Sequence, residues 1–171
     1  MGVTRMKIRT LHAEDAQTVH ALRLRSLREH PEAFGGAYED EVNFPIERVV
    51  ERLQTSTDKI TLGAVIDEEL VGFVSFNRYP GRKTRHRASL GAMYVKPEAR
   101  GRGVGSALLN EVIHHARALT DLEEIILAVT VGNETAHRLY QAAGFVDSHI
   151  EKRYIKLGDT YYDIEWMTLI L

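Results

Sequence analysis

The stretch RGRGVGSALL, from Arg100 to Leu109, constrains this chain more than any other ten residues in it. An apolar run (88–95) and Pro97 precede it. Val104, Leu108, Val112, Ala116 and Leu119 follow at close to helical spacing. The order is therefore strand, glycine turn, amphipathic helix. Glycine tolerates positive φ and close backbone approach, so the chain can reverse into the helix within a few residues. A helix start offers unpaired N–H groups and the positive end of the macrodipole, and an anion is their usual partner. A phosphate-binding P-loop needs GxxxxGK before Ser or Thr, and no lysine stands in this turn. The dinucleotide fingerprint GxGxxG is not met by Gly101, Gly103 and Gly105, which read GxGxG after a mid-chain strand. What remains is Arg100-x-x-Gly103-x-Gly105, whose backbone N–H groups can wrap a pyrophosphate with Arg100 and Arg102 as charged forks. Against it stands a turn that only joins strand to helix. Ser106 can reach a phosphate with its hydroxyl or cap the helix.

The rest of the chain reads as alternating short elements. MKIRTL (6–11) alternates like a strand, and 13–31 is a helix that stops before Pro31. Residues 32–45, with two glycines and four acids, read as a loop, and 46–56 as a short helix. Residues 60–79 hold two apolar strands split by the acidic turn DEE, a hairpin. A basic loop (81–87) leads to the strand 88–95. Residues 124–131 form a buried strand, and 133–145 a helix ended by Gly144. The remainder forms two strands joined at LGDT (157–160). No repeat, low-complexity tract or linker interrupts 171 residues, so the expectation is one α+β or α/β domain over 1–171.

Two segments together resemble the GNAT superfamily of N-acetyltransferases. MYVKPEARGRGVGSALL (93–109) is similar to the family's coenzyme-binding strand, turn and helix. VTVGNETAHRLYQAAGF (129–145) is similar to its second segment, an asparagine opening a helix that contains a tyrosine. The opening IRTLHAEDAQTVHALR (8–23) and the ending YYDIEWMTLIL (161–171) also suit a member. The resemblance implies a single GNAT-like domain with a mixed, mostly antiparallel sheet of about seven strands and about four helices. It implies that two neighbouring parallel strands, here 88–95 and 124–131, splay into a V that admits acetyl-coenzyme A. Pantetheine then pairs with the edge of the first strand through backbone groups, for which Met93 and Val95 are the candidates. It further implies that Asn133 bonds pantetheine and that Tyr140 lies by the coenzyme sulfur. Asn133 is also a plain N-cap by residue type, and Tyr140 a core aromatic with a wet tip.

The chemistry of acetyl transfer sets its own demands. The attacking amine must be neutral, and a lysine-like amine is so in fewer than roughly 0.1% of molecules at pH 7. The oxyanion needs a donor, for which a main-chain N–H suffices. The leaving thiolate gains from a proton, which a phenol can give. Tyr140 is that phenol; it follows Asn133 by about two helical turns, so both can face one side. The base is sought in AYEDE (37–41), where Glu39 and Glu41 can take a proton or bind a cationic acceptor, unless they form a solvated acidic loop. His86 is a second candidate.

Composition trims the alternatives. The net charge of −2 gives no bias toward nucleic acid, and the basic residues of RKTRHR read as a solvated hairpin. There is no cysteine, which excludes thiolate nucleophiles and agrees with direct transfer to the acceptor. His114 and His115 lack an HExxH context, so no metal is expected. The N-terminus has no apolar leader and no run reaches a membrane-spanning length, so a cytoplasmic location without membrane association is expected. Trp166, Tyr161 and Tyr162 read as core or interface packing or as acceptor-site lining, and a homodimer is the expected assembly. The functional expectation is direct acetyl transfer from acetyl-coenzyme A to a primary amine of a small molecule or protein. The alternative is a non-catalytic acyl-coenzyme A-binding regulatory module on the same fold.

Overall fold

The computed structural model describes residues 5–171. Residues 1–4, part of the stretch read as lacking a leader, lie outside it. Strands form where the sequence alternates or runs apolar: Met6–Thr10 (β1), Lys59–Ile66 (β2), Glu69–Arg78 (β3), Arg87–Val95 (β4), Glu124–Thr130 (β5), Val146–Leu157 (β6) and Thr160–Ile170 (β7). They make one seven-stranded sheet in the order β1-β2-β3-β4-β5-β7-β6, antiparallel except between β4 and β5. The helices are Ala16–Glu29 (α1), Tyr38–Glu41 (α2), Ile46–Arg52 (α3), Val104–Arg117 (α4) and Glu134–Ala142 (α5). There are five because the segment 32–45, expected as loop, closes one helical turn: the Val42 N–H donates to the Tyr38 carbonyl at 2.8 Å. The β2–β3 hairpin turns on Asp67 and Glu68, both at positive φ (49° and 66°), the geometry of a tight primed turn.

The sheet divides two apolar layers. On one face Leu62, Val74, Phe76 and Ile125 pack against Leu108, Leu109 and Val112 of α4. On the other, Leu11, Phe73 and Tyr94 pack against Val19 and Leu22 of α1 and Val49 of α3. Among the described residues, no helix is long and apolar enough to cross a membrane.

Two irregularities in β4 prepare the site. Its pairing with β5 is confined to Arg87↔Glu124, Ala88↔Ile125 and Ser89↔Ile126, and beyond Ser89 the strands part. Its pairing with β3 shifts register between Phe73 and Ser75, opposite Ala92, which sits at φ 48°. An extra residue of this kind is a bulge, which re-aims the strand.

Candidate active site

The parted strands open a cleft of about 970 Å³, floored by Met93, Val95, Ala128 and Thr130 and flanked by the starts of α4 and α5. Strand alternation decides which backbone groups face it. The Lys96 N–H donates to the Val71 carbonyl at 2.8 Å, so the peptide groups of Val95, one residue back, point to the opposite edge. That edge is the one β5 has left. The Val95 carbonyl accepts from Arg100 Nε at 3.1 Å.

The glycine turn forms the mouth. Gly101 and Gly103 have φ of 72° and 77°, and a Cβ on either would meet nothing within 4 Å. Gly103 is the N-cap of α4, and no side chain caps that helix. Its first N–H groups therefore face the cleft without a side-chain acceptor, as an anion cradle requires. Gly105 serves packing as well: a Cβ there would stand 2.9 Å from Leu139 Cδ2 and 3.4 Å from Met93 Cε, so its smallness lets α4 and α5 approach. Ser106 lines the cleft and is exposed. Arg102 is exposed and does not line it. Arg100 lines it but is engaged, donating also to His30 Nε2 at 3.2 Å.

Helix α5 supplies the other wall. The Asn133 carbonyl oxygen accepts from the Ala136 N–H at 3.3 Å, a true N-cap, which leaves the side-chain NH₂ to donate elsewhere. Two turns on, the half-buried Tyr140 donates its hydroxyl to Met93 Sδ at 3.7 Å. Burial pushes that hydroxyl up to about 12, so it stays protonated across the neutral range.

The acidic candidates do not meet in this cleft. Glu41 is buried between two arginines: its oxygens accept from Arg23 Nε and Nη2 at 3.1 and 3.0 Å and from Arg52 Nη1 at 3.2 Å. Burial raises its pKa, but the guanidiniums of Arg23 and Arg52 outweigh that and hold it below the ordinary value. A carboxylate fixed in this way organises the loop that carries Phe34, over which Arg23 also lies at 5.1 Å. Glu39 is exposed on α2 and outside the cleft. His86 sits at the closed end of the β4–β5 seam, where its carbonyl accepts from the Glu123 and Glu124 N–H groups. The basic loop around it is partly neutralised, Arg85 by Asp58 and Arg87 by Glu124.

The acidic residue that lines the cleft is Glu32, which sequence reasoning passed over. It lies in a single 3-10 turn (Pro31–Ala33) after α1, and its carbonyl accepts from the buried Thr130 hydroxyl at 2.7 Å. That bond pins the turn to β5. His30 Nδ1 stands 3.8 Å from Glu32 Oε1. Arg100 can only donate, so Nε2 of His30 is the acceptor in that contact. The HPEAF segment held the signal in its acid flanked by histidine, but only the Thr130 contact reveals where it lies.

Comparison with known proteins converges on one family. Residues 19–145 match the model described as the Acetyltransferase (GNAT) family. The chain is 28% identical over 86 residues to spermidine N(1)-acetyltransferase of Vibrio cholerae, covering 50% of this chain and 49% of that protein. It thus spans about half the length of that relative. It is 29% identical over 120 residues to the L-amino acid N-acetyltransferase of Escherichia coli, covering 70% of this chain and 74% of that one. In three dimensions it is similar to a GNAT-family acetyltransferase from Streptococcus pneumoniae, with a TM-score of 0.87, 26% identity and coverage of 98% and 99% of the two chains. It shares its fold with a Salmonella typhimurium protein determined with its cofactor acetyl-CoA, with a TM-score of 0.85, 18% identity and coverage of 98% and 95%.

Proposed function

We propose, because the chain belongs to the GNAT acetyltransferase family, that it is an acetyl-CoA-dependent N-acetyltransferase that passes its acetyl group directly to a primary amine. The observation that carries this reading is the placement of the Tyr140 hydroxyl at Met93, inside the cleft that β4 and β5 open and the glycine turn closes. The cleft suits acetyl-CoA on physical grounds. An uncapped helix start with two open glycines takes the pyrophosphate, assisted by Ser106. The free edge at Val95 offers peptide groups to the pantetheine amides, and the Asn133 NH₂ adds a donor. Acetyl-CoA supplies a thioester carbonyl whose carbon the amine attacks. As the C–S bond breaks, the Tyr140 hydroxyl donates to the departing sulfur, and the second proton that the nitrogen sheds in becoming an amide restores the phenol. Its raised pKa keeps that hydrogen on oxygen until the sulfur becomes basic.

The acceptor enters from the α1–α2 side, past Phe34 and Glu32. Glu32 draws in the ammonium form and receives its proton, directly or through water, which leaves the neutral amine beside the carbonyl. The relatives named for spermidine and for amino acids both acetylate amines, which supports this acceptor class.

The test is thiol release from acetyl-CoA with spermidine, free amino acids and peptides as acceptors, each against a no-acceptor control. Amine-dependent release that falls in Tyr140→Phe supports the proposal. Tight acetyl-CoA binding with no release for any amine would leave a coenzyme-binding module instead.

A further inference from the structure

On the outer side of α5, away from the cleft, three side chains from three elements converge. His137 Nε2 of α5 lies 2.9 Å from Asp147 Oδ1 of β6 and 3.3 Å from Glu165 Oε2 of β7. All three ligand-type atoms lie within 4.8 Å of one another. The geometry points to a divalent-metal site formed by His137, Asp147 and Glu165. Donors bound at about 2.0–2.2 Å around a zinc-type ion stand about 3.0–3.5 Å apart, and both histidine–carboxylate spacings are close to that range.

Charge gives a second reason. Two carboxylates are held side by side, and among the described residues no lysine or arginine lies within 4.0 Å of either; the imidazole is their one basic partner. A neutral imidazole leaves two negative charges, which one divalent ion balances. Exposure allows entry and a fourth, water-filled position: Asp147 is half exposed, whereas His137 and Glu165 keep 20% of their side-chain surface. The donor set selects the ion. Imidazole suits zinc and its neighbours, whereas magnesium and calcium prefer oxygen alone. The sequence expectation of no metal rested on the missing HExxH motif, and these residues are separated in sequence and brought together only by the β6–β7 pairing and the packing of α5 beside it. A bound ion would fix α5, the helix of Asn133 and Tyr140, to the β6–β7 hairpin. This inference stands independently of the proposed activity.

Calorimetric titration of the chelator-treated protein with zinc chloride tests it. One ion should bind per chain, and zinc should raise the thermal midpoint. Asp147→Asn, which keeps shape and exposure, and His137→Gln should each weaken binding by at least the about tenfold that losing even an outer-shell partner costs. Magnesium chloride at equal concentration should move neither readout. The site is overturned if zinc gives neither heat nor a midpoint shift at about 100 µM, where a micromolar site would be saturated. It is equally overturned if both variants bind like the parent or if magnesium matches zinc; the trio is then a histidine bridging two acids.

Discussion

In the proposed reaction Tyr140 and Glu32, which line one cleft, have complementary tasks, one giving a proton and the other taking one. Tyr140→Phe keeps the ring that meets Phe145 edge-on at 6.0 Å and removes only the hydroxyl. Turnover should fall about 10²–10⁴-fold, the size of a general-acid contribution, while acetyl-CoA affinity measured by calorimetry stays constant. Glu32→Gln preserves the carbonyl bond from Thr130, since that bond is made by backbone. It should raise the KM for a cationic amine and lower kcat/KM most around neutral pH, where a lysine-like amine is still almost wholly protonated and needs a base. A pH series of kcat/KM for the two proteins is the check, and identical curves would return Glu32 to a surface role. The position of Tyr140 in the cleft was legible because a seven-residue step from Asn133 is close to two helical turns. Glu32 was not, because its place depends on a hydroxyl 98 residues away in sequence.

At the scale of elements, the two glycines of the α4 entry do different work. Gly103 holds a left-handed φ of 77°, so Gly103→Ala should cost about 1 kcal/mol of stability through backbone strain alone. Its added methyl also enters the anion cradle and should weaken acetyl-CoA binding. Gly105 has an ordinary helical backbone, and Gly105→Val should cost about 1–3 kcal/mol by pressing on Leu139 and Met93. Urea midpoints separate the two, and a Gly105→Val protein with unchanged midpoint would remove the packing argument. The turn's identity, the hairpins at Asp67–Glu68 and 157–160, and the helix stop at Gly144 were all readable, because each is set by local backbone preference. The turn at α2 and the extra residue near Ala92 were not. Both are fixed by partners across the sheet or loop, and short elements carry too few periods to announce themselves.

For the molecule as a whole, acid stability follows from where its carboxylates are paired. Glu41 with Arg23 and Arg52, Asp15 with Arg9, and Glu29 with the Tyr94 hydroxyl are each held below their ordinary values in the fold. An unfolded chain binds protons at these groups first as pH falls. The stability they confer is therefore present above about pH 4.5 and is lost progressively below it. Glu41→Gln should cost about 2 kcal/mol at pH 7, since two arginines lose their charged partner and one of them is half exposed. It should also flatten the fall in urea midpoint between about pH 5 and pH 3 relative to the parent, because one of the titrating groups is gone. An unchanged slope would assign acid sensitivity to the other pairs. In the sequence AYEDE shows only charge, whereas the burial of Glu41 comes from its pairing with Arg23 on α1 and Arg52 on α3.

The brief β4–β5 contact has a kinetic meaning too. Strands β1–β4 come from residues 6–95 and strands β5–β7 from residues 124–170, so each leaf of the sheet is continuous in sequence and antiparallel within itself. Only the pairs from Arg87 to Ser89 and from Glu124 to Ile126 cross between leaves. Each leaf can therefore zip by local hairpin closure, and the seam, which alone needs a parallel crossover through α4, should close late. Isotope exchange would register this as a ranking: amides buried in the β2–β3 ladder outlast those at the seam, and the free Val95 N–H exchanges faster than both until a bound acyl carrier occupies the gap and slows it.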